Sequence, residues 1–341
     1  MRRGIERAAV YVPRGTRSGR RVAGPDEDAF TLAATALERL WVGNVGPGPI
    51  GGLLLVGDLP PAVDGDLLRF IGSAPSVVRH GGGSAGLREA LASAREPGRA
   101  AEPALVVAVD CAGSERTPSA PDAALALLVS DRGTVDPETV WNGEAEDSRV
   151  ATAGVLRYLA KHTKADAGVW AGDSDSSASG DPPFELPRAP TRPWPEQGPV
   201  SQGAYVPRPR YLENLPSRWW FVAERCPVCR ALTFPVRGRC RACGVREGLS
   251  TERLPLDGGE VVAATVIGPG GQPTEFDDQV ESSGPYEVVL VEVAPGVRLT
   301  LQVTDGRPGE LAIGARVATR LRRLYPMEGE WRYGRKAVSL R

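Results

Sequence analysis

Two pairs of cysteines constrain this chain more than any other feature of its 341 residues. Cys226 and Cys229 enclose two residues, Cys240 and Cys243 enclose two more, and ten residues separate the pairs. Each CxxC places two thiolates on one turn, and a hairpin between them brings the pairs together. Four sulfurs at about 2.3 Å make a closed tetrahedral zinc site with no position left for a substrate. The spacing therefore predicts one structural zinc ion on Cys226, Cys229, Cys240 and Cys243. A redox CxxC pair is the competing reading, and two pairs at this spacing argue against it. Cys111 stands alone after an apolar run and reads as a core thiol.

Four thiolates on a divalent ion carry a surplus of negative charge, and six arginines lie close by: Arg225, Arg230, Arg237, Arg239, Arg241 and Arg246. They either offset the thiolates or, as guanidinium forks, grip phosphate groups. Of these, Arg237, Arg239 and Arg241 are the candidate ligand-binding set. A net charge of −1 gives no global field to draw nucleic acid or an anionic membrane, so any basic patch must be local. Apolar runs such as residues 53–56 fall far short of the roughly 20 that span a bilayer. Residues 1–13 are basic but lack the apolar stretch of a signal peptide, and the cysteines are clustered rather than spread as a disulfide framework. The expectation is a cytoplasmic protein with no membrane segment.

Around this centre the chain divides by composition. In residues 1–172, apolar strands at 4–12, 51–56, 104–110 and 123–130 alternate with helical patterns at 26–41, 64–71, 84–94 and 150–162, the mark of an α/β layer structure. Residues 173–210 are rich in Pro, Ser and Asp and read as a linker or extended arm, with Phe184, Trp194 and Tyr205 able to dock. A short helix at 211–221 leads into the cysteine cluster, so residues 211–253 form a helix and ribbon. From residue 254 to 341 the pattern is all β, with alternating runs at 259–267, 286–293, 297–304, 316–324 and 331–340, which suits a small closed barrel.

The order of aromatic helix (Arg218, Trp219, Trp220, Phe221), four-cysteine ribbon with Phe234 and Pro235, and a barrel opening at residues 256–261 resembles the DUF35 family. In that family a rubredoxin-like zinc ribbon is joined to an OB-fold. The resemblance covers roughly residues 211–341. It implies acyl-CoA contact and complex formation with a thiolase-fold enzyme, such as a thiolase, a hydroxymethylglutaryl-CoA-synthase-like enzyme or an aldolase.

The first region resembles the N-terminal half of a thiolase-fold enzyme, nearest to hydroxymethylglutaryl-CoA synthase and the ketoacyl synthase III group. The opening strand with Val10, Tyr11, Val12 and Pro13 carries the likeness, as do Asp26, Glu27 and Asp28 before the first helix. The helix from Ser84 to Ala94, followed by the strand 104–110, is the most specific part, and residues 121–124 stand near the family's Gly-Asp-Gly-Ala step. The family's nucleophilic Cys is replaced here by Ser84, which needs an adjacent base because a hydroxyl stays protonated at a helix N-terminus. The second half of the fold, source of the family's catalytic His and Asn, is absent. His80 precedes Ser84 by four residues across Gly81, Gly82 and Gly83, a run able to form an anion nest. Ser84 and His80 are thus the weak catalytic candidates, against a decayed site with a leftover tight turn. His162 reads as a helix-surface residue.

The fold class expected is multidomain: an α/β thiolase-like half domain, then a zinc ribbon and an all-β OB-fold barrel. The first functional expectation is a non-catalytic acyl-CoA-binding accessory or scaffold subunit of a thiolase-fold complex, packing against that partner or its own copy. The second is an acyltransferase acting through Ser84. The third is single-stranded nucleic-acid binding through Arg316, Arg320, Arg322, Arg323, Arg332 and Arg335 with Tyr325, Trp331 and Tyr333, which the whole-chain charge disfavours.

Overall fold

A computed structural model describes residues 3–17, 20–41, 49–57, 59–95, 102–111, 122–133, 170–171, 184–185, 206–273, 276–327 and 329–340. The chain divides into two compact units, Met1–Leu186 and Pro187–Arg341.

The first unit is built on a six-stranded sheet. Its strands are β1 (Gly4–Tyr11), β4 (Gly52–Val56), β5 (Ser76–His80), β6 (Ala104–Asp110), β7 (Ala123–Ser130) and β8 (Trp170–Ala171), in the order β5-β4-β6-β7-β1-β8. β5, β4 and β6 run parallel, while β7 is antiparallel to both β6 and β1. β2 (Gly15–Arg17), β3 (Arg20–Arg21) and β9 (Phe184–Glu185) make a small second sheet, so part of the stretch expected as a linker pairs with β2.

Leu53, Leu54, Leu55, Leu105, Val106 and Val107 are all essentially inaccessible, with helices on both faces of β6 and on one face of β4. On one face lies α1 (Ala29–Leu40), with α2 (Ala62–Ile71) beside it, where Phe70 meets Phe30 edge-on and stacks with Trp41. On the other lies α3 (Gly83–Arg95), which buries Leu87, Ala90, Leu91 and Ala94 against Leu54, Val56, Val106 and Leu127. The expected helix at 26–41 begins three residues later, because Asp28 is its cap. The Asp28 carboxylate accepts from the Thr31 N–H and the Thr31 hydroxyl accepts from the Asp28 N–H, a reciprocal capping box. The expected helix at 150–162, with His162, lies outside the described residues.

In the second unit the single helix expected at 211–221 is two: α4 (Arg208–Glu213) and α5 (Leu215–Trp220). The break falls at Asn214, with Pro216 in the first turn of α5. β10 (Val222–Arg225), β11 (Leu232–Thr233) and β12 (Ser250–Arg253) form a three-stranded sheet in the order β11-β10-β12. The barrel follows with β13 (Asp257–Ile267), α6 (Asp277–Ser283), β14 (Tyr286–Ala294), β15 (Val297–Gln302), β16 (Arg316–Met327) and β17 (Glu330–Ser339). Its strand order is β15-β14-β13-β16-β17, all antiparallel. One parallel bridge, Val303 with Ala337, joins the two ends, and the Thr304 N–H donates to the Ala337 carbonyl at 2.9 Å. Five strands closed in this order are the OB arrangement.

The two short helices are fastened to β17. The Tyr333 N–H donates to the Tyr211 hydroxyl, and the Tyr211 hydroxyl and Trp219 Nε1 both donate to the Tyr333 carbonyl. Arg335 Nε donates to the Trp219 carbonyl at 2.6 Å, and the Arg332 guanidinium lies over the Tyr211 ring.

Candidate functional site

β10 leads directly into the first cysteine pair, and the two pairs fold alike. In the first, the Arg230 N–H donates to the Cys226 carbonyl and the Cys226 N–H to the Ala231 carbonyl; in the second, the Gly244 N–H donates to the Cys240 carbonyl and the Cys240 N–H to the Val245 carbonyl. The fourth residue after each leading cysteine takes a left-handed conformation, Arg230 at φ 61° and Gly244 at φ 80°. This turn is what carries two sulfurs to one side of each knuckle.

The four Sγ atoms lie within 4.8 Å of one another, with Cys226 and Cys240 buried and Cys229 and Cys243 exposed. The Cys226–Cys243 and Cys229–Cys240 sulfurs are 3.6 and 3.5 Å apart. Disulfide bonds close at about 2.05 Å, so these are not disulfides. A tetrahedron of sulfurs at about 2.3 Å from zinc has edges of about 3.8 Å, which is close to the observed spacing. The donor set therefore fits one tetrahedral ion, and with four protein ligands its coordination is complete. The expected metal set is brought together entire.

Electrostatics point the same way. Backbone N–H groups of Cys243 and Ala242 hold the Cys240 thiol down to about 6, and the Cys229 N–H, with that of Val228, lowers the Cys226 thiol. Cys229 also receives help from the Ala231 N–H, yet the adjoining Cys243 and Cys240 sulfurs push it up to about 12. Four thiolates this close repel each other, and a divalent cation resolves the conflict.

Supporting groups escaped the sequence reading. The buried Glu224 carboxylate accepts from the N–H groups of Arg237 and Gly238, and the Thr233 hydroxyl accepts from the Arg241 N–H. These bonds fix the loop that enters the second knuckle. A lone acid two residues before the first cysteine is the only signal the sequence offers for Glu224. Of the six arginines, Arg225 is committed to a two-pronged pair with Glu252, at 2.6 and 2.7 Å. The side chains of Arg237, Arg239 and Arg241 are exposed and make no ion pair among the described residues.

The upstream candidates sit where β5 hands over to α3. This is the carboxyl end of the parallel strands, the usual place for a crevice in such sheets. Gly57, after β4, has φ +125°, and an added Cβ would stand 2.5 Å from the Val109 carbonyl oxygen, so the backbones approach closely here. Ser84 is the second residue of α3. His80 ends β5, and its Nδ1 lies 3.6 Å from the Glu89 carboxylate on α3. Cys111 directly follows β6 and is half-buried.

Three of the six basic barrel residues are withdrawn from the surface, while Arg316 is exposed and Arg320 and Arg323 are partly so. Arg322 is fully buried and paired with Asp305 at 2.9 Å, Arg332 and Arg335 are buried against Tyr211 and Trp220, and Tyr325 and Tyr333 are buried as well. Arg323 lies over the Trp331 ring at 4.5 Å. No helix among the described residues is long and apolar enough to cross a membrane.

No family model matches the chain. Among characterised proteins, a DUF35 domain-containing scaffold protein of Methanothermobacter thermautotrophicus is 32% identical over 122 residues, 36% of this chain and 85% of the relative. A DUF35 domain-containing scaffold protein of Methanocaldococcus jannaschii is 29% identical over 116 residues, 34% of this chain and 77% of the relative. Among solved structures, the Ltp2-ChsH2(DUF35) aldolase matches 35% of this chain and 83% of its own, at 24% identity and a TM-score of 0.28. PksG, a HMG-CoA synthase from Bacillus subtilis, matches 38% of this chain and 41% of its own, at 19% identity and a TM-score of 0.30.

Proposed function

The chain belongs to the DUF35 domain-containing scaffold proteins, and from that membership we propose that it is an accessory subunit of a thiolase-fold enzyme that works on acyl-CoA. The observation that carries this reading is the convergence of Cys226, Cys229, Cys240 and Cys243 into a closed sulfur set at the entrance to a barrel. Such a centre, loaded with zinc, stiffens a binding module and has no open position for catalysis. Arg237, Arg239 and Arg241, exposed and without a carboxylate partner among the described residues, supply the forks that hold the CoA phosphates at the mouth of the partner's tunnel. The α/β unit packs against the partner, which brings the nucleophile and base.

The test begins with the wild-type chain as bait in its native host, with bound proteins identified by mass spectrometry. A thiolase-fold enzyme with an intact Cys and His is the expected partner. The purified pair then binds acyl-CoA more tightly than either component alone, and Arg237→Ala/Arg239→Ala/Arg241→Ala weakens that binding at least tenfold. Failure to find any such partner sinks the scaffold reading; unchanged affinity in the triple variant sinks only the phosphate role.

A second reading keeps some chemistry in this chain, because Ser84 opens α3 and His80 closes β5 on the same glycine-rich connection. It requires the pure chain to form an acyl-enzyme from an acyl-CoA and to lose it in Ser84→Ala. Intact-mass spectrometry decides: no acyl adduct on the wild-type chain removes this reading.

A further inference from the structure

The barrel has an open side that neither its closure nor the metal centre uses. β13 pairs with β16 only through Asp257, Gly259 and Glu260, and Val261 then exchanges bonds with Gly314 and Ala315. Beyond the bulge between Val261 and Ala263, β13 pairs with β14 alone, from Ala263–Leu290 to Ile267–Tyr286. The alternation of the ladder decides which groups face outward. The Glu287 carbonyl accepts from Val303 on the β15 side, so Glu287 and its opposite, Val266, do not bond each other. The N–H and C=O of Val266, and by alternation those of Ala264, therefore point away from the sheet, and neither has a backbone partner among the described residues.

Natural sheet edges are blunted by charge, proline or cover. This one is not. Ala263, Ala264, Thr265 and Val266 are all exposed, Val266 at 46%, and no charged residue occurs between Glu260 and Glu275. Residues 261–267 read V-V-A-A-T-V-I, a segment of high β propensity without charge, proline or glycine. Ile313, 73% exposed, stands in the turn bonded to Val261, where the free edge begins.

We propose that residues 263–267 of β13 are a docking edge for the same strand of a second copy of this chain, paired antiparallel about a twofold axis through Thr265. Three features select a copy over another occupant. An uncharged edge offers nothing to a charged peptide, whereas its copy brings no like charge against it. Centred on Thr265, the outward groups of Ala264 meet those of Val266 in the other copy, which satisfies both sets in isologous pairs. Each larger residue then faces a smaller one, Val266 against Ala264 and Ile267 against Ala263, with the two threonines opposed. An edge pair of this length covers less than the roughly 1,200 Å² of a standard interface. The dimer is accordingly weak, with a dissociation constant of about 10 µM.

The experiment is sedimentation velocity on the full, zinc-loaded chain across a hundredfold range of concentration around that value. Wild type passes from monomer to dimer. Thr265→Lys and Thr265→Glu each place like charges face to face and weaken the dimer at least tenfold, and mixing the two restores a one-to-one heterodimer. Ala264→Pro removes an outward N–H without touching the β14 ladder and gives the same loss. Melting temperature and zinc content of all variants match wild type, which separates docking from folding. A wild type that stays monomeric throughout overturns the proposal, even if the edge then takes a strand from another protein. So does a Thr265→Lys protein that dimerises like wild type, or a charge-swapped mixture that stays monomeric. No partner enzyme is present, so the outcome is independent of the scaffold reading.

Discussion

Arg230 and Gly244 hold the same step of two successive knuckles, and only one of them is glycine. A left-handed backbone disfavours any Cβ, and around Gly244 an added Cβ would meet nothing within 4 Å. Gly244→Ala therefore isolates the conformational cost from packing. It should lower the stability of the zinc-loaded chain by about 1 kcal/mol in urea titration, with one zinc still bound. A loss several times larger, or loss of the metal, would show that the knuckle cannot tolerate the side chain for another reason. At this scale the clustering of the four cysteines was legible, because two CxxC pairs at ribbon spacing have few other uses. Glu224 was not, since a carboxylate's value there lies in two backbone N–H groups more than ten residues away.

At the scale of elements, the aromatic helix pair is the brace of β17. Trp219 is fully buried and donates to the Tyr333 carbonyl. Trp219→Ala should cost about 3–5 kcal/mol. Trp219→Phe, which keeps bulk and leaves that carbonyl with the Tyr211 hydroxyl as donor, should cost only about 0.5–1.5 kcal/mol by the same denaturation assay. The hairpin end of β17 adds a pH dependence. Arg208, donating to the Glu330 carboxylate, and then Arg332 hold that carboxyl below its ordinary 4.5 in the folded chain. A carboxyl depressed by folding stabilises above its unfolded value, and that contribution fades as acid protonates it. Glu330→Gln should therefore melt slightly below wild type at neutral pH, and the gap should close below about pH 4. A gap that persisted in acid would contradict the ion pair.

The elements missed in the sequence share a cause. β10, β11 and β12 are four residues or fewer and are organised by the cysteines and by Glu224, not by apolar alternation. β5 is an edge strand that ends in Arg79 and His80, and Arg79 reaches out to the Asp64 carboxylate. Among the described side chains of α6, Val280 is the buried one. By contrast, the runs at 104–110 and 123–130 are apolar up to their last residues, Asp110 and Ser130, because helices or neighbouring strands enclose them, so their bounds could be read directly. The buried Arg322, Arg332 and Arg335 of the barrel run against the expectation of a nucleic-acid surface that includes them. Their charge is met by Asp305, by aromatic faces and by a backbone carbonyl, which no local pattern announces.

For the molecule as a whole, the division into Met1–Leu186 and Pro187–Arg341 predicts how it comes apart. Binding energy in a four-cysteine site is folding energy for the ribbon. Chelation, or Cys226→Ser, should release one zinc per chain and abolish the order of β10–β12. The first unit, which has no part in the site, should keep its own melting transition by calorimetry. A chain that lost its zinc with both transitions unmoved would refute the role assigned to the metal. The multidomain fold class was readable because composition changes along the chain; the pairing of Phe184–Glu185 with β2 was not, since two residues carry no periodicity.

The barrel's two end strands meet at Val303 and Ala337 through one bridge, while every other adjoining pair is joined by a run of registered residues. Thermal breathing therefore begins along that line. In deuterium the Thr304 amide should exchange orders of magnitude sooner than those of Val289 and Val291 at the heart of β14, and a ligand laid across the β15–β17 seam would slow it without altering the rest of the sheet.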